Sequence, residues 1–114
     1  MTTQPENPED VKIIALARAT LVRSRVPQGA CVRDTDGRTY AAGAVDLPHL
    51  RLSAVATAVA MAVSSGAEGL EAVALAAADE PTSDDLDVVR DLGGTGVVVW
   101  SVDPRGTLRT RIES

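Results

Sequence analysis

With 114 residues the chain is long enough for one domain with a single real core. Its 45% hydrophobic share contains only two aromatics, Tyr40 and Trp100, so the core has to be assembled from Ala, Val, Leu and Ile. A net charge of −5 disfavours nucleic acid, whose binding requires Lys and Arg to neutralise phosphates, and the single Cys31 excludes an internal disulfide and any multi-Cys zinc site.

Residues 1–6 read as a flexible tail, followed by one domain over 7–114. The opening MTTQPENPED is polar and acidic, unlike a signal peptide, and a cytoplasmic address is expected. Asn7-Pro8-Glu9-Asp10 is a helix start: Asn caps, Pro takes the first position, and two acids face the positive end of the dipole. Val11, Ile14, Ala15, Arg18, Leu21 and Val22 then recur at helical spacing until Pro27 and Gly29. Arg18, Arg23, Arg25 and Arg33 form a local basic cluster in sequence. Ala30–Arg33 and Thr39–Val45 read as a hairpin around Asp34-Thr35-Asp36-Gly37.

After the loop Leu47-Pro48, residues 51–66 (RLSAVATAVAMAVSSG) read as a helix that stops with Gly66 at C′. Small or apolar groups lie on nearly all its sides, which predicts burial between layers. Ser53 and Thr57 interrupt its longest apolar run, which is too short to span a membrane. Leu70–Ala78 is read as a strand despite its alanines, because it lies between helices and precedes Asp79-Glu80-Pro81. Ser83-Asp84-Asp85 caps a short helix closed by Gly93-Gly94. Val97–Val102 is a buried strand, Asp103–Gly106 a turn and Thr107–Ile112 an alternating edge strand. The order α-β-β-α-β-α-β-β predicts a layered α/β domain with one central mixed sheet.

Several residues invite a chemical reading. His49, the only imidazole, could join Asp85 or Cys31 around a metal, but in Leu47-Pro48-His49-Leu50 it is read as structural or exposed. Cys31 is read as a core residue, since no base is placed beside it. Ser53 lacks a nucleophile-elbow turn and is read as a cap or packing residue. Gly93-Gly94-Thr95-Gly96 precedes a strand, the wrong context for a phosphate loop, and is read as a helix stop. Glu80, Asp84, Asp85 and Asp87 are read as dipole complement and solvated surface.

The whole order resembles the small cytidine deaminases. Pro27-Gln28-Gly29-Ala30 stands at the family's Pro-Val-Gly-Ala-like turn, Asp36-Gly37-Arg38-Thr39-Tyr40 matches its Asp-Gly-Arg-x-Tyr hairpin, and Gly66-Ala67-Glu68-Gly69 echoes the exit from its second helix. The resemblance implies a three-layer α/β/α domain with a five-stranded sheet. It also locates a deaminase site, where a zinc-activated water is served by a proton-shuttling Glu. The family places Cys-Ala-Glu (or His-Ala-Glu) at the second helix and Pro-Cys-x-x-Cys at the third. Here Ser53-Ala54-Val55 and Pro81-Thr82-Ser83-Asp84-Asp85 stand there. Ser53, Val55, Thr82 and Asp85 therefore occupy the functional positions without thiolates or the Glu. The family's ribose-binding Asn-x-Glu is best matched by Ala44-Val45-Asp46, leaving Asp46 as the one candidate substrate contact. The family's apolar segment after the last strand has no counterpart before Ser114.

The resemblance thus implies a catalytically silent member with no metal and no cofactor, acting by binding a protein partner or copies of itself. Family members form dimers or tetramers around the second helix, so a homo-oligomer is expected. Short zinc-less relatives tend to be encoded beside ribosome-maturation genes, which adds a ribosome-assembly partner as a further expectation. The alternatives are a nucleoside or nucleotide sensor resting on Asp46 and, last, a deaminase with a different ligand set.

Overall fold

The structure, a computed structural model, describes residues 4–114; the part of the expected tail at 1–3 lies outside it. Helix α1 (Pro8–Ser24) starts where its local chemistry predicts, with the Asn7 carboxamide accepting from Glu9 N at 2.9 Å. It buries Ile13, Ala17 and Thr20, with Ile14 and Leu21 packed alongside. Of the residues that recur at helical spacing, Ile14 and Leu21 border this inner face, while Val11, Ala15, Arg18 and Val22 face outward. The helix is apolar on two sides, and the strand after it selects the inner one. Gly29 lies so close that an added Cβ would meet the Ala17 carbonyl oxygen at 2.1 Å, which small residues alone permit.

Strands β1 (Gln28–Asp34) and β2 (Thr39–Gly43) form the expected hairpin. The second strand is shorter than expected. After Ala44 the chain makes a separate small hairpin of β3 (Val45–Asp46) and β4 (Arg51–Leu52), closed by backbone bonds between Leu47 and Leu50. Small and apolar residues run unbroken from Tyr40 to Val45, which is why the two pieces read as one strand in sequence. Helix α2 (Ala54–Ser64) consequently begins later than expected. It stops as predicted, with Gly66 at φ +93° and the Ala67 N–H reaching back to Ala62 O at 2.9 Å.

Leu70–Ala77, as β5, is the central strand of a five-stranded sheet in the order β2-β1-β5-β6-β7. Its side chains are buried on both faces except Glu71, so its alanines serve as thin spacers between helices. Sheet context overrides their helical propensity. Helix α3 (Ser83–Gly93) carries the chain to β6 (Val98–Val102), which pairs parallel with β5, and β7 (Leu108–Glu113) closes the edge antiparallel to β6. α1 covers one face of the sheet; α2 and α3 cover the other, giving three layers.

α2 is not buried on all sides. Ala54, Val55, Ala58, Val59 and Ala62 face the sheet, while Met61 and Val63 are 41% and 54% exposed. Among the described residues no element is layered over that outer side. Among the described residues no helix is long and apolar enough to cross a membrane.

Candidate functional site at the junction of two helices

The first turns of α2 and α3 meet, and a hydrogen bond joins the cap of α2 to the capping box of α3. Ser53 is the N-cap of α2: its hydroxyl oxygen accepts from Ala56 N at 3.1 Å. The same hydroxyl donates across the junction to Asp85 Oδ1 at 2.6 Å. Asp85 lies in the first turn of α3, where its N–H donates to Thr82 Oγ1 at 3.1 Å and its Oδ2 accepts from Thr82 N at 3.3 Å. That reciprocal pair is a capping box. The cap of α3 is therefore Thr82 rather than the Ser83-Asp84-Asp85 group, and Asp85, at 4% exposure, is not solvated surface. The structure brings together three of the four sequence-predicted positions. Val55, the fourth, is 1% exposed in the core under α2.

Gln28 was not anticipated. From the start of β1 its Oε1 accepts from Ala54 N at 3.1 Å, satisfying another orphan donor of the same helix end. A helix N-terminus offers donors that any nearby acceptor can take, so nothing in the spacing of Gln28 announces this contact.

The remaining candidates disperse. Asp46 lies on the small hairpin with its side chain 88% exposed, 3.4 Å from Arg51, and among the described residues no hydrogen bond links it to the Ser53–Asp85 group. His49 is exposed at the hairpin tip. Cys31 is buried on the α1 face of the sheet, across it from Asp85. Burial pushes its thiol up to about 11, against the lowering effects of the Tyr40 backbone, Lys12 and Arg33, so it holds its proton at neutral pH. Among the described residues no three of His, Cys, Asp and Glu are placed to hold a metal ion. Gly94 ends α3 at φ +74°, and the glycine run is a helix stop.

Arg33 leaves the basic cluster. It is buried, with Nη1 2.8 Å from Asp10 Oδ1 and Nε 3.4 Å from Glu71 Oε2, while Trp100 Nε1 donates to Asp10 Oδ2 at 3.2 Å. This group pins the start of α1 to the sheet. The hairpin turn has its own buried carboxylate, Asp34, which accepts from the N–H groups of Asp36 and Arg38 at 2.9 Å each and from the Tyr40 hydroxyl at 3.0 Å. Burial raises its pKa, but these bonds and the Arg38 guanidinium outweigh burial and hold it below the ordinary value of 3.8.

A layered sheet with two helix N-termini converging at one corner has a counterpart among known proteins. The family model described as "Cytidine deaminase-like" matches residues 6–106. The chain belongs to this family. Its fold is similar to the cytidine deaminase from Burkholderia pseudomallei, with a TM-score of 0.77 and 21% identity over 87% of this chain and 88% of that one. The cytidine deaminase from Mycobacterium leprae is similar at a TM-score of 0.69 and 19% identity, covering 88% of this chain and 91% of that one. The one from Bacillus anthracis reaches 0.68 and 16% identity, over 95% and 83%. No curated protein matches the chain.

Proposed function

We propose that this family member performs no zinc-dependent deamination and acts by binding, in the first place to copies of itself. The observation that carries the reading is the closed bonding of the helix junction. The donor set there does not fit zinc. Ser53 spends its proton on Asp85, Thr82 Oγ1 is taken by the Asp85 N–H, and both Asp85 oxygens are engaged. Neutral hydroxyls are poor zinc ligands beside thiolates and imidazoles. Val55 has no group able to move a proton, so no general acid or base stands where the family's shuttle would act. A Ser–Asp hydrogen bond between two helix caps does mechanically what a shared metal would do, holding the corner closed without a ligand.

Self-association draws support from α2. From Leu52 to Ala67 there is no charged residue, in a chain whose net charge is −5. The outward part of that segment includes Met61 and Val63, and the neighbouring hairpin exposes Leu47 and Leu50 at 53% and 48%. An uncharged apolar face can meet its own copy without like-charge repulsion, which suits a symmetric contact. Exposure of Asp46 gives a nucleoside-sensor reading no enclosed hydroxyl acceptor. A cytoplasmic setting and a ribosome-assembly partner belong to this proposal as well.

Light scattering across protein concentrations tests it. A dimer or larger species is expected, and Met61→Glu should shift it toward monomer with little loss of monomer stability. A strict monomer at all concentrations would remove the self-binding half of the reading.

A further inference from the structure

α1 carries two apolar stripes, and only one is used by the fold. Ile13, Ala17 and Thr20 face the sheet; Val11, Ala15, Arg18 and Val22 point the opposite way, with Val11 52% and Val22 61% exposed. The outer residues are separated by four, three and four positions, the seam spacing of paired helices. Ala15 and Ala19 keep the middle of the seam low, and a groove of about 440 Å³ runs there between Val22, Arg18 and Arg23. A second groove of about 220 Å³, including Val11, Ile14 and Leu108, continues toward the β6–β7 turn.

Charge decides what this face would take. Residues 11–25 contain Lys12, Arg18, Arg23 and Arg25 and no acid, in a chain that is acidic as a whole. Lys12 and Arg23 lie on one flank of the seam by helical geometry, and Arg25 follows at the left-handed C-cap. Arg18 lies within it, tethered by its Nε to Pro104 O at 3.4 Å, with its stem against Gly106. A charged residue within an apolar seam asks for one opposite charge across from it and so fixes register.

We infer that the outer face of α1 docks an acidic amphipathic helix of another protein, with small apolar residues in its seam, one acid opposite Arg18, and further acids over Lys12 and Arg23. A second copy of this chain is a poor occupant, because it would set four positive charges against four. The chain's own acidic helix, α3, has already spent Leu86, Val89 and Leu92 on the core. A bilayer would want large apolar or aromatic side chains on this face, and single-stranded nucleic acid would want exposed rings; the outer stripe offers two valines and no aromatic. The inference deepens the binding reading but fails separately from it, since neither the zinc content nor the oligomeric state enters its test.

The test is fluorescence anisotropy of the full chain against a labelled helical peptide with a Leu/Ala seam flanked by Glu, and against its twin with every Glu replaced by Lys. Phosphatidylglycerol vesicles and a single-stranded oligonucleotide form the other arms. The Glu peptide is expected to bind, more weakly as salt rises, and the Lys twin should not. Arg18→Glu with Arg23→Glu should weaken binding at least about tenfold, whereas Arg90→Glu on α3, across the sheet, should leave it unchanged. Because Arg18 and Arg23 are exposed and Arg90 pairs only with the exposed Asp87, both variants should melt near the parent chain. No binding of the Glu peptide, equal binding of the twins, or binding by the vesicles or oligonucleotide alone would overturn the inference.

Discussion

Asp34 and Asp85 are both buried carboxylates with both oxygens engaged, yet they are built in opposite ways. Every partner of Asp34 lies within six residues, in the turn Asp34–Tyr40 that it organises. Asp85 has one local partner, Thr82, and one that arrives 32 residues away, Ser53. A local cluster of this kind forms with its hairpin. The helix junction exists only once α2 and α3 are both laid on the sheet. The first therefore reports on a hairpin and the second on the whole arrangement of layers.

The difference predicts unequal responses to mutation. Val55→Glu should have the largest effect: it places an unpaired carboxylate in a closed core beside the junction and should cost about 3–5 kcal/mol in denaturant unfolding. A loss below about 1 kcal/mol would mean that the corner is open to water. Next in size is Ser53→Ala, which removes a cap and leaves Asp85 short of a donor, for about 2–3 kcal/mol. With Asp85→Ala it should form a non-additive pair, coupled by about 1–2 kcal/mol. Additive losses would show two independent caps rather than one lock.

Asp34 gives the smallest signal, and pH isolates it. Its folded pKa lies below the ordinary value of 3.8, so its stabilisation is fully present above about pH 4 and disappears as pH falls through the folded value. The parent chain should lose its advantage over Asp34→Asn on acidification below pH 4. A stability difference that stays constant down to pH 2 would assign the benefit of Asp34 to something other than its charge.

The same contrast explains what could be read from the chain. The hairpin turn, the cap at Asn7 and the stop at Gly66 follow from residues within a few positions of one another, whereas Leu70–Ala77 reads as a strand against its own helical propensity, from its place between two helices. The inner face of α1 did not follow, because the helix offers two apolar stripes and a tertiary contact at Gly29 chooses between them. The small β3–β4 hairpin is hidden for a similar reason: small and apolar residues run through Ala44, and only the backbone bonds of Leu47 and Leu50 show the break. Ser53, Val55, Thr82 and Asp85 were singled out through likeness to a family. Their mutual bonding, and the contribution of Gln28, depend on where the sheet sets two distant helix ends.

On the proposed reading, the helix junction is closed by its own hydroxyl and carboxylate and takes up no metal. Zinc per subunit, by elemental mass spectrometry of protein purified without added metal or chelator, tests it most directly. Zinc at background level, far below one per chain, is expected. Stoichiometric zinc would contradict it, returning Asp85 and its neighbours to the role of ligands and making turnover of cytidine the next assay.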